Sequence, residues 1–246
     1  LQEGGLHLNF QPQFSCADRQ LTGAEVLVRW QHPQRGAVSP AEFVPMAEEL
    51  GLVGVLGDWV LERACAQLAE WQARGLHIPR LAINLSARQL ADQRLLPQLQ
   101  QALQRHQLDP SQIELELTES TLLQDIDSSR DILQSLKKLG VSLAIDDFGT
   151  GYSSLSYLKL LPIDTLKIDR SFIQAMTAGG RDAQLTQTMV VMAHGLGMRV
   201  LAEGVEDAEQ FELLASFGCD EVQGYWLGRP MPAATLAALL SRSSGE

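Results

Sequence analysis

VSLAIDDFGTGYSSLSYLKLLPIDTLKID, residues 141–169, decides how the rest of the chain is read. Its first apolar run, Val141 to Ile145, stops at two adjacent acids, Asp146 and Asp147. A glycine-punctuated loop follows (Phe148, Gly149, Thr150, Gly151, Tyr152), and a second run, Ile163 to Asp169, carries Lys167 and Asp169. A strand that ends in paired carboxylates and a flexible loop sets negative charge at the mouth of something. Two carboxylates so close do not both stay ionised without a counter-charge, and a divalent cation supplies one. A lone Asp-Asp pair reads more readily as a solvated turn. Recurrence of the same arrangement elsewhere in the chain tips the balance to the cation.

Outward from this stretch, strand-like and helix-like runs alternate. Strands are expected at His7–Phe14, Leu21–Trp30, Leu81–Leu85, Ile113–Leu117, Ser142–Ile145, Thr165–Ile168, Arg199–Ala202 and Glu221–Gln223. The first two flank turn-prone residues 16–20 and read as a hairpin. Ser39-Pro40-Ala41-Glu42 matches a capping box opening a helix towards Leu50. Helical periodicity also marks Gly54–Gly75, Gln89–Gln107 with a break at Pro97, Ser128–Leu139, Arg181–Leu196, Ala208–Phe217 and Ala233–Leu240, with a short turn near Ser153–Leu160. Eight strands with intervening helices favour an α/β fold, a (β/α)8 TIM barrel, over an open doubly wound sheet. A dinucleotide-binding sheet would carry GxGxxG after its first strand, and the chain has none.

Side chains alternate faces along a strand, which tests the barrel. Gln11, Glu25 (with Leu27 and Arg29), Asn84, Glu114 and Glu116, Lys167 and Asp169, Glu203 and Gln223 each lie opposite an apolar set on their own strand. Seven strands thus have one face for a helical jacket and an inner face that turns polar near its C-terminal end. In a barrel those ends form a single rim, where catalytic groups gather. Charges at such depth cost several kcal/mol each unless ligated or paired. The donors are carboxylates and one amide; the five histidines show no HExxH or HxH spacing, so zinc is disfavoured and hard cations, Mg²⁺ or Mn²⁺, are favoured. The number of acids points to two ions, the arrangement suited to phosphodiester hydrolysis.

Composition narrows the partners. The formal charge of −11 over 246 residues argues against duplex nucleic acid, while a metal in an acidic cleft still permits a small nucleotide. Cys16, Cys65 and Cys219 are odd in number and lack CxxC spacing, as expected of a reduced, cytoplasmic setting. No apolar run reaches membrane-span length, so direct membrane contact is not expected. The LQEGG start and SRSSGE end read as the edges of a single domain, residues 1–246, cut from a longer protein that is itself open to anchoring in an inner membrane.

The segments FQPQF, GAEVLVRWQHP, INLSARQL, ELTES, IDDFGTGYSSLSYLKLLPIDTLKIDRSFI, LAEGVE and QGYWLGRP occur in this order between about Leu6 and Leu240. Together they resemble the EAL-type phosphodiesterases of cyclic di-GMP. The resemblance implies a modified (β/α)8 barrel with one antiparallel strand near the N-terminus. It implies hydrolysis of cyclic di-GMP to linear pGpG by water activated between two Mg²⁺ or Mn²⁺ ions. By position, Glu25, Asn84, Glu116 and Asp146 match ligands of one ion, and Asp146, Asp147 and Glu203 those of the other. Lys167 matches the residue that orients or deprotonates the water, Gln223 a partner in the same cluster, and Glu119 the acid that tethers the DFGTGYSS loop. Arg29 matches a phosphate-binding arginine, Gln11 and Leu27 substrate contacts, and Asp169 a neighbour of the cluster. A homodimer through the region near the DFGTGYSS loop is implied too, alongside other domains of the parent protein. The signature Glu-Ala-Leu stands here as Glu25-Val26-Leu27; alternation turns Val26 away from the ions. The competing reading is a catalytically silent cyclic di-GMP receptor, disfavoured because every expected metal ligand is present.

Overall fold

The computed structural model describes residues 5–124, 126–150 and 158–243. Ten strands are present in these: β1 (Leu6–Ser15), β2 (Leu21–His32), β3 (Gly36–Val38), β4 (Leu81–Asn84), β5 (Ile113–Thr118), β6 (Ser142–Phe148), β7 (Thr165–Ile168), β8 (Arg199–Glu203), β9 (Glu221–Gln223) and β10 (Met231–Pro232). Eight close a barrel in the order β1-β2-β4-β5-β6-β7-β8-β9 and back to β1. All eight were expected from the sequence. β1 runs antiparallel to both of its barrel neighbours, β2 and β9, whereas every pair from β2–β4 round to β8–β9 is parallel. The cause is local: residues 16–20 are too few for a crossover, so the chain must return as a hairpin, closed by Ser15 N–H donating to the Gln20 carbonyl at 2.9 Å with Arg19 in the left-handed region (φ 58°). β3 and β10 are outriders, paired to the upper part of β2 and to Asn9–Phe10 of β1.

The helices are α1 (Pro40–Glu49), α2 (Val53–Ala73), α3 (Ala87–Leu90), α4 (Leu95–His106), α5 (Glu119–Gln124), α6 (Ile126–Leu139), α7 (Arg170–Gln174), α8 (Arg181–Gly195), α9 (Ala208–Ser216) and α10 (Ala233–Ser243). Two local readings need correction. Ser39 stands at the N-terminus of α1 but makes no side-chain cap; Glu42, the expected partner, pairs with Arg35 at 2.5 Å instead. The break in the Gln89–Gln107 run falls at residues 91–94, not at Pro97. Ser86 and Gln89 form a true capping box for α3, Arg94 is clamped by Asp92, and Pro97 sits harmlessly in the first turn of α4, where no intrahelical N–H is needed. Most of the Ser153–Leu160 turn lies outside the described residues.

The outward strand residues Leu81, Ile83, Ile113, Leu115, Leu117, Leu143, Ile145, Leu166, Ile168, Val200 and Val222 are buried, in one cluster with Leu68, Trp71, Leu99, Leu133, Leu136, Val190 and Leu214 of the helices. Val26 belongs to that same layer at 3% exposure, as alternation requires. Cys16, Cys65 and Cys219 are free and buried, and burial pushes the Cys65 thiol up to about 12. Among the described residues no helix is long and apolar enough to cross a membrane.

Candidate metal centre at the barrel mouth

The strand register brings the inward acids to one level. Gln11 lies opposite Glu25, Asn84 beside Glu116, Thr118 beside Asp146, and Glu203 beside Gln223. At their centre is Lys167 of β7, fully buried, with Nζ 2.7 Å from Glu116 Oε1, 2.8 Å from Glu203 Oε1 and 3.2 Å from Asp146 Oδ1. Glu25 is held from two sides: Asn84 Nδ2 donates to its Oε1 at 2.9 Å and Gln223 Nε2 to its Oε2 at 2.6 Å. Gln223 Nε2 also donates to Gln11 Oε1 at 3.2 Å, and Gln11 Nε2 to the Gly228 carbonyl at 3.1 Å.

Strict alternation would send Asp146 and Asp147 to opposite faces. The β6–β7 register shifts between Ile145 and Phe148, and Asp147 adopts a left-handed backbone (φ 55°). This irregularity turns two consecutive carboxylates toward the same place. Asp146, Asp147 and Glu203 each offer an oxygen within 4.8 Å of the others.

Glu25, Glu116, Asp146, Asp147 and Glu203 therefore share one neighbourhood with a single ammonium. Burial raises the Glu116 carboxyl well above the usual range, with Lys167 opposing and Glu25 and Asp146 adding to it. Burial likewise brings Glu203 up to about 8, again against Lys167, and raises Asp147, helped by Asp146 and Asp169. Burial works against the Lys167 ammonium, but Asp146, Glu116, Glu203 and Glu25 outweigh it and hold its pKa well above the ordinary lysine value. The acids are short of positive charge. Glu116 Oε2 is buried with no hydrogen-bond partner among the described residues. A hard oxygen donor set, negative excess and a spare buried carboxylate oxygen fit divalent cations such as Mg²⁺ or Mn²⁺.

The remaining expected residues sit around this centre. Glu119, at the start of α5, is buried and accepts the Gly149 N–H at 3.3 Å, tying down the start of the loop whose residues 151–157 lie outside the description. Leu27 and Arg29 continue the inward face of β2 beyond Glu25, both half-buried; burial lowers the Arg29 pKa, with Glu25 and Tyr225 opposing. Asp169 caps α7 through Ser171 N–H at 3.0 Å, a structural task that accounts for its place. The cleft above Glu25, Asp146, Glu203 and Gln223 is also lined by Arg170, Gln174, Glu206 and Tyr225, which sequence reading passed over. All four lie just beyond the ends of β7, β8 and β9, the position that could have flagged them.

A second polar layer lies at the barrel floor. Arg80 Nε is 3.0 Å from Glu114 Oε1, and its Nη2 pairs with Glu221 Oε2. Arg199 Nη2 reaches Glu114 Oε2 at 3.4 Å and Thr165 Oγ1 at 3.1 Å, and Thr165 donates to Glu114 Oε2 at 2.8 Å.

Comparison with known proteins follows the same line. Residues 1–230 match the family model described as EAL domain. The bifunctional diguanylate cyclase/cyclic di-GMP phosphodiesterase MucR of Pseudomonas aeruginosa is 45% identical over 238 residues, covering 97% of this chain and 35% of that protein. Cyclic di-GMP phosphodiesterase PA2567 of the same organism is 44% identical over 240 residues, covering 98% of this chain and 41% of its own length. The chain thus spans well under half the length of these curated relatives. A solved structure of PaMucR phosphodiesterase in complex with c-di-GMP superposes with a TM-score of 0.89 at 45% identity, covering 94% of each chain.

Proposed function

The chain belongs to the EAL domain family, and on that premise we propose that it is a phosphodiesterase that opens cyclic di-GMP to linear pGpG with two Mg²⁺ or Mn²⁺ ions. One observation carries the reading: three carboxylates pair with one buried lysine at the mouth and two more stand in its field, leaving a negative excess that a cation pair would neutralise. Glu25, Asn84, Glu116 and Asp146 would hold one ion, and Asp146, Asp147 and Glu203 the other. Bound there, the ions supply an activated water and absorb charge on the phosphoryl oxygens.

The chain's own groups do the rest. Three carboxylate partners engage the Lys167 ammonium, which has three donors and no acceptor; it serves as a fixed positive charge that orients the acids rather than as a base. Arg29, charged and half-buried on the same face as Glu25, binds a phosphate of the nucleotide. Gln11 and Leu27 flank it as substrate contacts. Glu119, through the Gly149 N–H, fixes the loop that leaves β6 just after Asp147. We assign the domain to the cytoplasm, as one part of a longer protein, and expect it to dimerise near that loop.

Incubation of the purified chain with cyclic di-GMP and Mn²⁺ or Mg²⁺, followed by chromatography, tests the reading. pGpG appearing only with added metal is the expected result. Retained nucleotide binding with no product would assign the chain to the receptor class instead.

A further inference from the structure

A line of side-chain amides joins the floor of the barrel to its mouth, and none of the roles above uses its lower member, Gln13. This residue lies on β1 opposite Gly23 of β2 and is fully buried. A Cβ at position 23 would fall 2.8 Å from Gln13 Oε1 and 2.8 Å from the Arg80 carbonyl oxygen. The β1–β2 register shifts immediately after Gln13. The missing side chain at position 23 leaves room for the Gln13 amide.

An amide has an acceptor on one branch and a donor on the other, and here its direction is dictated from below. Arg80 only donates. Its Nη2 stands 3.5 Å from Gln13 Oε1, while Glu114 and Glu221 lock the same guanidinium. With its oxygen turned to the cation, Gln13 donates through Nε2 to Gln223 Oε1 at 2.9 Å. The Gln223 oxygen is thereby committed, and its Nε2 faces Glu25 Oε2 at 2.6 Å. Turned over, Gln223 would set its oxygen against the Glu25 carboxylate and its NH₂ against that of Gln13. Buried polar groups left unsatisfied in this way are costly, so the turned-over arrangement is disfavoured.

We infer that Gln13 is a positioning residue for Glu25: through the Arg80–Gln13–Gln223 line it fixes which end of the Gln223 amide meets that carboxylate, and so the direction in which Glu25 offers oxygen to a cation. The inference rests on the two-ion reading of the mouth and extends it to a layer below.

The test is Mn²⁺ binding to the intact chain without nucleotide, followed by loss of the free-ion electron paramagnetic resonance signal. Gln13→Met keeps length and volume but loses both amide groups. It should bind Mn²⁺ about 10-fold more weakly, the scale of losing an outer partner of a metal ligand, with KM for the nucleotide unchanged. Gly23→Ala, which crowds the amide without removing it, is the second variant and should weaken binding in the same direction by a smaller factor. Thr165→Val deletes a buried floor hydrogen bond outside the line; it should lower Tm and leave Mn²⁺ affinity alone. Parent-like affinity in both Gln13→Met and Gly23→Ala, or equal weakening in Thr165→Val, overturns the inference. Parent Mn²⁺ binding indifferent to Glu25→Ala overturns the two-ion reading instead, so the two failures are told apart.

Discussion

Two charged layers fill the interior of this barrel, and their charge balance separates them. At the floor, Glu114 and Glu221 meet Arg80 and Arg199, so the formal charges cancel. At the mouth, five carboxylates share the buried Lys167, three of them in direct ion pairs, so negative charge is in excess. Both sets are largely buried, so burial does not distinguish a structural layer from a functional one. A balanced buried network satisfies itself and holds strands in register; an unbalanced one needs a ligand to complete it.

The sharpest way to break the comparison is to remove acids from each layer. Glu25→Ala or Glu203→Ala should cut turnover by more than about 100-fold, beyond the usual cost of losing only an outer partner of a metal ligand, as measured by pGpG formation. Either change should lower the metal-free Tm less than a floor substitution does, because relieved repulsion offsets the lost hydrogen bonds and ion pair. Next in size is Arg80→Met at the floor. It strands Glu114 and Glu221 without their common partner and should cost about 3–5 kcal/mol in urea unfolding, the scale for a broken buried pair. Equal loss of stability from both layers would erase the distinction. Metal addition sharpens it further: Mg²⁺, Mn²⁺ and Ca²⁺ should each raise Tm of the parent, as ligands of the folded state do, with no comparable rise in Glu203→Ala. Ca²⁺ should nonetheless suppress turnover, because its larger and looser shell disturbs the geometry.

The smallest effect concerns Val26, where the family signature carries alanine. Val26 packs among outward core residues, so Val26→Ala should leave turnover within about twofold. It should lower stability by roughly 1–2 kcal/mol, on the scale of about 0.8 kcal/mol per buried CH₂.

The barrel and most of its mouth were legible because alternation in short strands is unambiguous. Gln11, Glu25, Asn84, Glu116, Lys167, Glu203 and Gln223 each sit opposite an apolar partner set, and the register then aligns them. The same rule hid two things. Alternation gives no account of how Asp146 and Asp147 share a site, which takes an irregular strand edge and a left-handed residue. Nor does it tell the two ends of a strand apart, so Glu114 read as a companion of Glu116 although it belongs to the floor with Arg80. α5 and α7 were too short for helical periodicity to reveal. The cap expected at Ser39 is absent, and Glu42, its expected partner, pairs with Arg35.

A Mn²⁺-soaked crystal read by anomalous scattering tests the central claim most directly. Two peaks are predicted at the barrel mouth, one among Glu25, Asn84, Glu116 and Asp146 and one among Asp146, Asp147 and Glu203, with none at the floor. Full Mn²⁺ occupancy elsewhere with the mouth empty, or density at the floor instead, would contradict it.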